Sequence, residues 1–228
     1  MLLAYRLIAP FIVLLLVWAV VSAGLSVGRR VFFFVVIAGF LFALSPWLSY
    51  YNVIVWERSV RVLVPGVEWV VVMGVPIPVP RVGVDVEKQI VAVNVGGGLV
   101  PVVAGVLLLW AAAEAAGFWV LWVFLAGFTM VSLATYATSR AVPGVGIVVP
   151  GLVPPLVSSM IVVLLMGPGP AAGFVAYAAG SIGSLFGADI LRLLRDLDKL
   201  GAPFVSIGGV GVFDGVFLSG VFSLLLTL

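Results

Sequence analysis

The sequence predicts an α-helical polytopic membrane protein of about seven transmembrane helices, with a small extramembrane β-hairpin or sheet inserted between helices 2 and 3. Three observations lead there. The 228 residues are 64% hydrophobic and only 9% charged, where soluble domains carry roughly 25% charged residues. Apolar runs close to the roughly 20 residues needed to cross a bilayer recur along the chain. One stretch breaks that pattern with a strict alternation of period two, which is a strand signal.

The first apolar run covers residues 7–27. It is longer than a signal-peptide core and a second run follows directly after Arg29 and Arg30, so it reads as an uncleaved first helix. The second run, 31–51, closes on Trp47, Tyr50 and Tyr51, the aromatic belt expected where a span meets the interface. Residues 1–52 therefore form a two-helix unit.

From 53 to 93, valine occupies every second position, as in Val60, Val62 and Val64 or Val82, Val84 and Val86. Pro65-Gly66 carries the residue types of a type II turn, and Pro76, Pro78 and Pro80 suit an edge strand. The expectation is an antiparallel pair between roughly 59 and 86 turning at Pro65-Gly66. Open sheet edges are not tolerated in lipid, and Glu57, Arg58, Arg61, Glu68, Arg81, Asp85, Glu87 and Lys88 fall here, so the segment is placed outside the hydrocarbon.

Residues 94–228 hold the remaining runs, at about 95–116, 118–138, 154–167, 170–191 and 204–228. The stretch 141–155 is too rich in Pro and Gly for one regular helix, leaving an interfacial loop before a short helix or a re-entrant segment. Arg192, Arg195, Asp196, Asp198 and Lys199 read as a solvated loop. Glu114, at the end of a span, reads as interfacial. With seven spans, the basic residues fall nine on one side and two, Arg29 and Arg30, on the other. The positive-inside rule then sets a multi-pass cell-membrane protein with its N-terminus and β segment in the cytoplasm.

The chain contains no Cys and no His, which removes disulfides, Cys/His metal sites and every His-based triad. No metal and no cofactor are expected, and 11 basic against 9 acidic residues give no nucleic-acid footprint. The partners expected are the lipid bilayer and a membrane-embedded peptide substrate. Few Asn and Gln residues and no Cys fit a thermophile. Gly96-Gly97-Gly98 lacks the lysine of a phosphate loop.

Two carboxylates stand inside late apolar runs, Asp189 and Asp214. Each costs on the order of 2.5–3.5 kcal/mol to place in a bilayer, so each marks a functional site by default. Two neighbouring carboxyls sharing a proton are the machinery of aspartyl proteolysis, and Asp189 and Asp214 are the candidate catalytic pair. Gly187, Gly208, Gly209, Gly211 and Gly215 are the supporting residues, through close helix packing and irregular backbone. In an ideal helix Asp189 points nearly opposite Gly187, so the Gly183 and Gly187 stripe need not be what joins the aspartates. For the pair to meet at one depth, 204–208 must not be regular helix. An ion-coupled transporter or channel and a non-catalytic membrane scaffold are the competing readings.

The stretches 183–189 (GSLFGAD) and 206–220 (SIGGVGVFDGVFLSG), with Gly144 to Ile147, resemble an uncharacterised prokaryotic membrane family, domain of unknown function 1614. The family implies a membrane fold over most of the chain and no particular activity. The two aspartates also resemble, more distantly, those of the presenilin, signal-peptide-peptidase and prepilin-peptidase class, which implies proteolysis. In that class a glycine directly precedes the second Asp; here the nearest is Gly211, three residues upstream of Asp214.

Overall fold

The computed structural model describes residues 28–142, 146–200, 202–209 and 215–228. The first apolar run, together with Gly211 and Asp214, lies outside the described residues. Helix α1 (Arg29–Leu48) leads into a ribbon of two strands, β1 (Asn52–Val72) and β2 (Val75–Asn94). A π-helical turn, Val95–Leu99, opens α2 (Val100–Ala116), and α3 (Val120–Thr138) follows after a short connection. A small hairpin, β3 (Arg140–Val142) and β4 (Gly146–Val148), precedes α4 (Val153–Met166). Then come α5 (Pro170–Ser184), a π-helical segment Leu185–Arg192, α6 (Leu193–Leu200), β5 (Phe204–Ile207) and α7 (Gly215–Thr227).

Among the described residues, four helical stretches are long and apolar enough to cross a membrane: Arg29–Leu48, Val95–Ala116, Val120–Thr138 and Pro170–Asp198. The apolar helices α4 and α7 are shorter, with 14 and 13 residues. Large apolar side chains face outward around the bundle, among them Phe33, Trp122 and Leu164. A helix surface that is apolar on every side suits a lipid solvent.

The bundle is built around α5, where every residue from Ala172 to Ser181 is buried. Small side chains allow this central position, because glycine and alanine let neighbouring backbones come close. A Cβ on Gly180 would overlap the Ser223 hydroxyl of α7, and one on Gly220 would press on the Tyr177 ring. Phe42 of α1 closes the centre edge-on against Tyr177 and Phe217, each at 5.3 Å between ring centroids. Gly183 and Gly187 do not face α7. Their hydrogens point at α3, where a Cβ would meet Val131 from Gly183 and Ser132 and Thr135 from Gly187.

An antiparallel pair forms as expected, but it is longer than the expected 59 to 86, and its turn is elsewhere. Asn52 pairs with Asn94 at the base and Val72 with Val75 at the tip, so Met73-Gly74 makes the turn. Both turn residues have positive φ, 51° and 85°, the backbone of the two-residue hairpin turns that match strand twist. Pro65 and Gly66 lie inside β1, opposite Val82 and Arg81. Counting by twos from the turn, Pro65 falls where its missing N–H would have pointed away from β2, so the ladder loses nothing.

A second, smaller core sits where the ribbon leaves the bundle. Val91, Leu193, Leu197, Leu200 and Val205 pack together, with Ala141 and Ile147 of the small hairpin against them. This corrects the solvated-loop reading of 192–199. Leu193, Leu197 and Leu200 share one helical face, and Asp196 is 2% exposed beside Arg192, with Nε to Oδ2 at 2.6 Å. Charge density looked like solvation there, but the apolar period of α6 decides the structure. The last apolar run is likewise divided. Its first residues, Phe204–Ile207, form β5 and pair in parallel with Ile90–Val93.

At the opposite end of the bundle, Arg30 stands 3.9 Å from Glu114. Glu114 thus closes the end of α2, as a span-end carboxylate should.

Candidate functional site

Two breaks in regular helix, the π-turn Val95–Leu99 and the π-segment Leu185–Arg192, converge with the turn after β5 at the ribbon's base. A π-turn widens the helix by one residue and recurs at functional sites. Asp189 lies within the second break and is half-buried. Its Oδ2 accepts a hydrogen bond of 2.7 Å from the backbone N–H of Gly208.

Gly208 and Gly209 have φ of 81° and 71°, the left-handed region that side chains with a Cβ rarely enter. Gly208 is doubly constrained. A Cβ there would meet the backbone of Gly98 at 2.5 Å, and a Cβ on Gly97 would overlap the Gly208 carbonyl. On its other side the Gly96 backbone lies against α1, where a Cβ would overlap the Ser45 carbonyl. The three glycines 96–98 are therefore a crossing point between α1 and the β5 turn. That is the physical content of a triplet whose sequence excluded only a phosphate loop.

Asn94 holds this crossing and is fully buried. Its Oδ1 accepts from Gly97 N–H at 2.7 Å, and its Nδ2 donates to the Ser49 carbonyl at 2.8 Å and to Asn52 Oδ1 at 3.1 Å. The Ser206 hydroxyl has Asn52 Oδ1 and the Gly209 carbonyl within reach, at 3.0 and 3.1 Å. Ser45 donates to the Gly96 carbonyl at 2.8 Å. A chain of polar contacts thus runs from the ribbon's base through β5 to the turn bonded to Asp189.

The ribbon is also fastened to the segment between α6 and β5. Gln89, 2% exposed, accepts from Arg58 Nε and donates to the Ala202 carbonyl, both at 2.8 Å. Arg58 forms an ion pair with Asp198 at 2.6 Å. Ile90 N–H donates to the Pro203 carbonyl at 2.8 Å.

Of the residues singled out from sequence, Asp189 and Gly208 are brought together directly and Gly209 shares their turn. Gly187 packs on α3 and does not touch that turn's contacts. Gly215 starts α7, its carbonyl accepting from the Ser219 hydroxyl. Asn52, Asn94 and Ser206 were not singled out. The two asparagines are the only ones in the chain and bracket the β segment, a signal read as composition when it marked a position.

The model of the family described as protein of unknown function DUF1614 matches residues 47–226. The chain belongs to that family. The match takes in Asn52, Asn94, Asp189, Ser206 and Gly208, and begins just after Ser45. No curated protein and no solved structure matches the chain. The more distant likeness to presenilin-type proteases therefore finds no support, and any hydrolytic reading of this DUF1614 member rests on its own residues. Among the described residues no cluster of three or more acidic side chains is arranged to hold a metal ion.

Proposed function

We propose that this chain is an intramembrane hydrolase of the two-carboxylate class, with Asp189 and Asp214 as its acid–base pair and an extended peptide as its substrate. One observation carries the reading: β5 is an edge strand of its sheet, and the residue that follows it, Gly208, is bonded to Asp189. A peptide must be extended to be cleaved, and an edge strand captures an extended segment through main-chain hydrogen bonds. A segment added along the open side of β5 is delivered toward the carboxylate. Asp214 follows Gly208 by only six residues in the sequence, which keeps the second carboxylate within a short length of chain from the turn bonded to Asp189.

In the chemistry proposed, one carboxylate takes a proton from water as its oxygen attacks the peptide carbonyl carbon. The other, protonated, gives its proton to the carbonyl oxygen. Collapse of the resulting diol breaks the C–N bond and returns a proton to the leaving nitrogen. The residues between Arg29 and the C-terminus are proposed to make six crossings, α4 and α7 included, with residues 7–27 the seventh. The ribbon and β5 are proposed to lie on the cytoplasmic face, where Arg58, Arg81, Lys88, Arg140, Arg192 and Arg195 gather.

The second reading, an ion-coupled transporter, is favoured by the interrupted helices at Val95–Leu99 and Leu185–Arg192, since broken helices with a membrane carboxylate are a transporter feature. One set of measurements separates the two. Purified protein in mixed micelles is given single-span helical peptides carrying a fluorophore and quencher, with and without a hydroxyethylene peptide isostere that mimics the diol. Proteoliposomes loaded with a pH dye test proton flux. Cleavage that is blocked by the isostere and lost in both Asp189→Asn and Asp214→Asn supports hydrolysis. Proton flux lost in Asp189→Asn, with no cleavage of any peptide, replaces it with transport.

A further inference from the structure

The ribbon is far longer than its anchoring requires. Twenty pairs of residues run from base to tip, a reach of roughly 65 Å at about 3.4 Å per residue, and only the base is covered. Register assigns its two faces. Residues directly opposite share a face, so Val67, Trp69 and Val71 lie with Pro80, Pro78 and Pro76, and the pair Pro65 and Val82 continues the same face toward the base. All of these are exposed: Val67, Trp69, Val71 and Val82 at 62 to 66%. The opposite face is crossed at the same level by a charged pair, Arg81 to Glu68 at 2.6 Å.

We propose that this ribbon lies on the surface of the chain's own bilayer, with the face of Val67, Trp69 and Val71 buried among the lipid headgroups and upper acyl chains. Three features argue for lipid and against a protein partner. The apolar block measures about 30 Å by 10 Å, or roughly 300 Å². A stable protein interface needs about 800 Å² per partner. At the tip alone the second face is apolar too, with Val70, Ile77 and Val79 exposed at 41 to 44%, so a partner sheet on one face leaves these uncovered, whereas fluid lipid can close round the tip. Near the tip the edge of β2 is also closed to further strands. Pro76, Pro78 and Pro80 fall at every second position, where the backbone N–H points outward, so over this stretch the edge has no donors to offer a strand and none to leave unsatisfied near lipid.

Continuity selects the membrane. The ribbon begins four residues after α1 ends, beside Trp47, Tyr50 and Tyr51, which are 57 to 67% exposed and mark the interface level of that helix. A ribbon rooted at that level runs along the same surface, and Lys88, exposed on the apolar face toward the base, adds attraction to anionic headgroups. This placement is independent of any hydrolytic activity.

The chain has no Cys, so single cysteines label uniquely. Val67→Cys, Val82→Cys and Gly66→Cys carry a bimane fluorophore, each in a full chain held as one copy per nanodisc of phosphatidylcholine and phosphatidylglycerol. A Cβ at Gly66 meets only the Arg81 carbonyl, at 3.5 Å, so this control site is open. Shallow doxyl-labelled lipid in the disc should quench positions 67 and 82 by about half or more and position 66 at least about threefold less. Equal or absent quenching at the three positions overturns the proposal. Quenching that appears only when labelled vesicles are added assigns the face to an apposed membrane. Quenching absent in single-copy discs, with position 67 close to its counterpart in a second copy by pulsed electron resonance, assigns it to self-association.

Discussion

The base and the tip of the ribbon are written in the same alternating valines, yet they end in opposite surroundings. At the base, Gln89, Val91 and Ala92 are 2%, 5% and 0% exposed, covered by β5 and α6. At the tip, Val71, Met73 and Val75 are 66%, 101% and 60% exposed. Period two fixes which residues share a face but says nothing of what covers that face. What differs is the neighbouring sequence. The base carries amide side chains and small residues that satisfy a crossing backbone, and the tip carries prolines that remove donors.

The same contrast separates glycines. Gly208 of the site has φ of 81° and backbone atoms where a Cβ would go, whereas Gly66 of the ribbon has a single carbonyl at 3.5 Å. Gly208→Val should therefore be the most damaging substitution here, costing about 4 kcal/mol from overpacking and a disfavoured backbone together. Gly66→Ala should stay within about 0.5 kcal/mol. Thermal unfolding in detergent, followed by circular dichroism, ranks them. Equal effects would mean that the crossing of Gly97, Gly98 and Gly208 is not tight.

Next in size is the ion pair under the base. Asp196 is buried and Arg192 is 22% exposed, so Asp196→Ala leaves a cation with partial access to water. The expected loss is about 3 kcal/mol, the low end for a broken buried pair because of that access. The double variant Asp196→Leu with Arg192→Met should recover most of it, since apolar replacement of both partners avoids the desolvation cost. If the single variant unfolds like the parent chain, α6 is not held by this pair.

Asn94 follows. Asn94→Ala removes the acceptor for Gly97 N–H and the donors to Ser49 and Asn52 from a fully buried position. About 2 kcal/mol should be lost. Amide exchange at Gly97 and Gly208 should rise together, because both belong to one crossing. Faster exchange at Gly97 alone would separate the ribbon's base from the turn that holds Asp189.

These residues also show which parts of the molecule are legible in a sequence. The pairing of two alternating strands was, because alternation is a property of the chain itself. Its turn was not, since Pro65-Gly66 has the stronger local turn chemistry and only the equal lengths of the paired strands select Met73-Gly74. Asp189 stood out because a carboxylate in an apolar run is costly. The Gly208 group bonded to it is a backbone amide, which every residue but proline possesses, and so the sequence is silent on that contact. In α6, leucines at 193, 197 and 200 carried the helical period and were outweighed by five charges that looked like solvent exposure.

The smallest effect is expected where most residues are removed. Deleting 61–86 and inserting Asn-Gly joins Val60 to Glu87, which already face each other across the ribbon. Counted by twos from Val72 and Val75, that pair has the same hydrogen-bonded geometry as the pair closing the natural turn, so a two-residue turn fits without a change of register. The excised residues lie beyond Gln89, Ile90 and Val91, which make the contacts to Ala202, Pro203 and the small core. Unfolding of the bundle in detergent should therefore shift by no more than about 0.5 kcal/mol, as for other surface changes. In a bilayer the shortened chain should lose the lipid contact of its ribbon while the bundle keeps its fold. A large drop in detergent, where no bilayer surface is present, would instead mean that the distal ribbon is packed against protein, and the division between a covered base and a free tip would have to be abandoned.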